Sequence, residues 1–211
     1  DTATYVVVII AVFSAYYGTQ YVDASEKRLG IISAVAVESF LKLIFFVILG
    51  IFVVYWVFNG FNDIYEKASE LPDFAQKNTF NGLEGGFNWF LMCMLSMTAI
   101  FLLPRQFHTT IVENRTEKHL KTAIWLFPLY LLIMNFFVFP IAWGGKILFF
   151  GENVNPEFYS ILIPQKFGNM LIAGMVFLGG LSACISMIII SSISLSVMLS
   201  NNIIIPYGWL N

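Results

Sequence analysis

Charge is scarce in this chain. Of its 211 residues only 11% are Asp, Glu, Lys or Arg, against 58% hydrophobic and 17% aromatic. Soluble domains carry about 25% charged and about 45–50% apolar residues, so a water-soluble core is excluded. Cysteine is almost absent: Cys93 and Cys184 lie inside apolar runs, behave as small apolar residues and form no metal-type cluster. The two histidines, His108 and His119, stand too far apart, without further ligands, to argue for a metal site. A net charge of −2 offers no basic surface for nucleic acid. No Walker-type phosphate loop, no nucleophile–base pairing and no internal repeat is visible, so no catalytic activity is read in this segment. The N-terminus has neither Met nor a basic n-region, which excludes a signal peptide of ordinary form, and the chain reads as a piece of a longer protein.

What is present is apolar length. Five runs approach or reach the roughly 18–20 residues that cross a bilayer, about 3–22, 30–58, 86–103, 119–143 and 168–200. Backbone groups in lipid must be paired internally, so these runs are expected to be helices, and the short alternating segments of a β-barrel are missing. The expected class is an all-α integral membrane protein. The last run is long enough to tilt. The connection "GGKILFFGENVNPEFYSILIPQKFG" is apolar enough to hold a short interfacial helix.

Loop charge predicts the orientation. Lys27 and Arg28 lie in the first connection, and Arg105, Arg115, Lys118 and Lys121 in the third. The second holds Asp63, Glu66, Glu70, Asp73 and Glu84 against Lys67 and Lys77, and the fourth only Lys146 and Lys166. Basic residues favour the cytoplasm, which puts the first and third connections inside and the second and fourth outside.

Three stretches carry polar groups into or against the spans. Glu38 and Lys42 share one helical face, acid first. They would either line a polar path or form a structural pair near the inner interface with Lys42 snorkelling. The last run holds "SACISMIIISSISLSVMLSN", with Ser182 and Ser186, then Ser192, Ser196 and Ser200, at four-residue steps. Such serines serve helix contacts or ligate a small hard cation, and the adjacent Ser191 and Ser192 are the place for the latter. The third run breaks at "LLPRQFH", where Pro104 removes a helical donor. The break is either a helix end with an interfacial basic cluster or an interrupted helix of the kind that builds transporter sites. Pro128 and Pro140 can each kink the fourth run.

Residues 18–43, "GTQYVDASEKRLGIISAVAVESFLKL", 103–142, "LPRQFHTTIVENRTEKHLKTAIWLFPLYLLIMNFFVFPIA", and 179–206, "GGLSACISMIIISSISLSVMLSNNIIIP", together resemble the sodium–solute symporter family. They are most similar to its branch fused to sensor histidine kinases, the CbrA type. The PRQFH…VEN run followed by WLFPLYL is the most specific of these marks.

The resemblance implies a LeuT-like fold of two inverted five-helix repeats. Residues 1–211 would form part of a single transmembrane domain, holding the fourth to eighth of ten core helices. It implies sodium as coupling ion, with no other cofactor, held between the first and eighth core helices. On the eighth, two hydroxyls and a carbonyl one turn earlier fall on Ser191, Ser192 and Ile188. Where relatives carry an early acidic residue in the fifth core helix, a gapless reading places Ser39, with Glu38 beside it, and Lys42 stands where they have Gln. Arg105, Gln106 and His108 become inner-gate or signalling residues. The implied partners are a small organic solute, such as an amino acid or carboxylate, the lipid bilayer of a bacterial inner membrane, and kinase domains in the same parent chain. A plain symporter, or a structural membrane domain with an inactive cation site, is the alternative.

Overall fold

The computed structural model describes residues 4, 5, 7–9, 11, 12, 29–72, 74, 82–107, 117–199, 202, 203 and 206. Among the described residues all regular structure is helical. Three helices among the described residues are long and apolar enough to cross a membrane, over Ser33–Val57, Lys118–Leu148 and Met170–Leu199. By length and composition these helices are those of a membrane protein, and the described residues are compatible with an all-α one. Only 28%, 11% and 17% of their most apolar windows is buried within the chain, which leaves much apolar side-chain surface for hydrocarbon to solvate.

In chain order the helices are α1 (Leu29–Phe52), α2 (Phe61–Ser69), α3 (Gly82–Leu102), α4 (Pro104–Phe107), α5 (Glu117–Leu148), α6 (Tyr159–Lys166) and α7 (Met170–Leu199). The first expected span, 3–22, lies mostly outside the described residues, and those described within it are helical. The chain divides into two compact units. One comprises Ala36–Gly86 and Leu120–Ser182, the other Asp1–Val35, Phe87–His119 and Ala183–Asn211.

The core of the first unit joins Leu49, Phe52, Val53, Val54 and Phe58 to Ile64, Ile141, Phe149, Ile163 and Ile172. Two glycines let its helices close. The Phe137 ring of α5 occupies the space a Cβ on Gly50 would need, and Tyr159 does the same at Gly145. Small residues at such contacts are how membrane helices approach without a hydrophobic drive between them.

α1 does not end as a plain helix. It widens into a π-helical turn, Val53–Val57, with Val53 and Val54 buried. The Phe58 amide donates to the Val53 carbonyl at 3.1 Å and that of Gly60 to Val54 at 2.9 Å. Gly60, at φ 114°, then reverses the chain into α2, a conformation that needs glycine.

The connection expected from 59 to 86 therefore contains a helix. Low apolar content hid it, but Ile64 and Ala68, four residues apart, both bury against the unit's interior. Asp63 holds its start: the carboxylate accepts from the Asn59 amide at 3.1 Å and pairs with Lys67 at 2.9 Å. These contacts, the Lys67 bond first, hold the Asp63 pKa below the ordinary carboxylate range.

α5 runs past the expected end at 143 to Leu148, straight through Gly144 and Gly145. Its last carbonyl, of Leu148, accepts from the Lys166 ammonium at 2.7 Å, and Glu152 lies 3.4 Å from the same nitrogen. The next connection is built of ordinary capping devices. Asn155 accepts from the Glu157 amide at 3.1 Å, and Pro156 opens a 3-10 turn that leads into α6. Gly168, at φ 72°, ends α6, and the Asn169 side chain accepts from the Ile172 amide at 3.3 Å to open α7.

Candidate functional site

The site residues expected from sequence, His108 apart, fall on α7, α1 and α4. On α7, a 30-residue helix without a charged side chain, Ser191 and Ser192 are both half-buried. They precede Ile193, 5% exposed, and Ser194, fully buried. The Ile188 side chain faces outward at 43% exposure. Its expected part is the backbone carbonyl, one turn before Ser191 and Ser192, and helical hydrogen bonding leaves a carbonyl a second lone pair.

Ser194 is the hydroxyl that sequence reading passes over. Adjacency selects Ser191 and Ser192, but complete burial belongs to Ser194. Ser186 precedes it by two four-residue steps and is half-buried, so the two follow one helical face, and that step is the signal that finds it. Both hydroxyls have interaction partners, as buried polar groups must.

On α1, Glu38, Ser39 and Lys42 are each half-buried. Glu38 lies within electrostatic reach of the Tyr130 hydroxyl of α5, in the same unit.

At Pro104 the helical path does not simply stop. The Leu103 amide donates to Ala99 at 3.1 Å and that of Phe107 to Leu103 at 3.0 Å, so helical bonding resumes in α4, beyond the break. Pro104 is the first residue of the new turn, where its missing donor costs nothing. Gln106 is half-buried and has a partner. Of Arg105 the backbone alone is described, and His108 lies outside the described residues.

Chemically these positions offer neutral oxygens on α7 and a carboxylate, a phenol and an ammonium on α1 and α5. Among the described residues no group of three His, Cys, Asp or Glu side chains is placed to hold a metal ion. Any cation at α7 would be held by hydroxyl and carbonyl oxygens, the chemistry of hard ions rather than of zinc or copper. Comparison of the chain with protein-family models, with curated proteins and with solved structures returns no match in any of the three.

Proposed function

We propose that this chain is part of a sodium-coupled membrane module of the sodium–solute symporter type, with a LeuT-like inverted-repeat fold. The module transports or senses a small organic solute and serves as the input domain of a sensor histidine kinase. The observation that carries the reading is the hydroxyl face of α7, where half-buried Ser191 and Ser192 stand beside buried Ser194 on an uncharged helix. The PRQFH…VEN run and the interrupted helix at Pro104 support it further.

In this reading Ser191, Ser192 and the Ile188 carbonyl supply one half of the sodium shell, and the first core helix supplies the other. Bound sodium favours the outward-open state, solute joins, and the bundle rocks inward. Glu38, Ser39 and Lys42 line the polar path. Arg105, Gln106 and His108 lie at the inner gate or meet the kinase domains, on the cytoplasmic face of a bacterial inner membrane.

The test uses the full-length protein and sodium itself. Saturable binding of radioactive sodium is expected in the unaltered protein and is expected to vanish in the double variant Ser191→Ala, Ser192→Ala. Undiminished binding at limiting sodium would remove the ligand assignment.

A further inference from the structure

A cavity of about 490 Å³ opens between α1, the last turns of α5 and the turn that leads into α6, entirely within the first unit. That volume lies in the ~300–1,000 Å³ range of small-ligand sites. Its lining surface is overwhelmingly apolar, with Phe46 from α1, Val138, Ile141, Ala142 and Trp143 from α5, and Tyr159 at the start of α6. Along α5 the lining extends from Val138 to Lys146, about 12 Å at the helical rise. Phe46 lies within the Ser33–Val57 span and the α5 residues within the Lys118–Leu148 span. Val138 is 46% exposed and Ala142 is exposed too, so the cavity is open at the surface of that span rather than sealed within the unit.

The walls are held by contacts within the chain. The Tyr159 side chain occupies the space a Cβ on Gly145 would need, and its ring stacks on Phe149 at 5.7 Å with 11° between planes. The Lys166 ammonium lies 4.5 Å from the centre of the Phe149 ring. The two charged side chains of the lining are engaged by the chain as well. The Lys146 ammonium lies 5.3 Å from the centre of the Trp143 ring and has a further partner. The Glu157 carboxylate accepts from the Asn155 side-chain amide at 3.5 Å.

The occupant follows by elimination. An ordered water needs about 2–4 polar partners, and so apolar a lining offers few. A charged solute would give up its hydration to a lining that is nearly all hydrocarbon, which is costly. Left empty, the walls forgo the dispersion contacts that neighbouring atoms supply. A hydrocarbon chain meets none of these objections, and the bilayer around the span supplies such chains at the cavity's open side. We propose that this cavity binds the acyl chain of a membrane lipid, recognised by its hydrocarbon and not by its headgroup. The chain enters beside Val138 and lies along α5 against Phe46, Trp143 and Tyr159. The proposal stands apart from sodium coupling and does not need Ser191 or Ser192.

Native mass spectrometry of the full-length protein, delipidated and released from detergent, tests it. The probes are phosphatidylcholine and phosphatidylglycerol with identical acyl chains, and glycerophosphocholine, which has the head without the chains. With either lipid the number of retained adducts is expected to fall by one in Ala142→Phe, which puts a ring into the cavity from an exposed position. Val138→Trp, which fills it from its other end, is expected to give the same loss, so the test does not hang on one variant folding. Leu132→Phe adds the same ring at a position of α5 that is 66% exposed and outside the lining, and is expected to lose nothing. Glycerophosphocholine is expected to give no adduct that Ala142→Phe removes. An adduct number unchanged in both cavity variants, or lowered as much in Leu132→Phe, would show ordinary bilayer contact only and overturn the site. A loss seen with one lipid and not the other, or an adduct of glycerophosphocholine that Ala142→Phe removes, would show that the head is recognised and overturn the acyl-chain assignment.

Discussion

Gly50 shows how much a single hydrogen can decide. A methyl there would collide with three carbons of the Phe137 side chain. Phe137 belongs to a ring network with Phe136, at 5.2 Å, which itself meets Phe61 at 5.1 Å. Moving it therefore disturbs more than one contact. Overpacking of this kind costs about 1–3 kcal/mol. Gly50→Ala is expected to lower the unfolding midpoint in detergent, while Gly174→Ala, which faces open space, leaves it unchanged. Asp63 supports a second prediction at this scale. Its carboxyl is more acidic in the folded chain than in the unfolded one, with the Lys67 bond as the first cause. The stabilisation is therefore complete above the unfolded value, near pH 4, and is lost as pH falls through the lower folded value. An NMR titration should place the Asp63 midpoint below that of an unstructured peptide and move it upward in Lys67→Met. An unchanged midpoint in that variant would assign the shift elsewhere.

At the scale of elements, the short helices of the connections matter as much as the spans. α6 is only eight residues long and contains Pro164, so it has little stability of its own. Ile163 and Pro164 hold it in place, both fully buried, with Ile163 joined to the core that α1 and α5 build. Ile163→Ala should cost about 2–5 kcal/mol, the usual range for emptying such a site. Chemical denaturation of the folded protein in micelles measures it, and a loss under about 1 kcal/mol, well below that range, would mean that α6 does not depend on this anchor. The π-helical turn is an element that sequence does not announce. Val53–Val57 is apolar and aromatic like the residues before it, and nothing in its composition asks for a wider turn. The turn results from where Phe58 must go: 4% exposed, it joins the core just before Gly60 reverses the chain. Pro104 is the opposite case. A proline after an apolar run marks the break in any reading, whereas the resumption of helical bonding to Phe107 is a property of the backbone geometry.

For the whole molecule, composition and run length pointed to an all-α membrane protein, and the helices of the described residues are compatible with it, because lipid leaves helices as the economical way to pair a spanning backbone. Acid–base spacing and hydroxyl adjacency pointed to Glu38, Lys42, Ser191 and Ser192, since those signals depend only on chemical type and helical step. What the sequence could not determine is which face of each span packs. α1, α5 and α7 are apolar nearly all round, and without a polar side no periodicity separates a lipid-facing residue from a core one. Gly50, Gly145 and Gly179 receive aromatic rings while Gly30, Gly174 and Gly180 meet open space, yet as letters the six are alike. Ser194 is buried and Ser196 exposed on the same helix for the same reason. Contact partners far apart in the chain chose between them, and such partners, like the α5 cavity shared with Phe46, exist only once the helices are together.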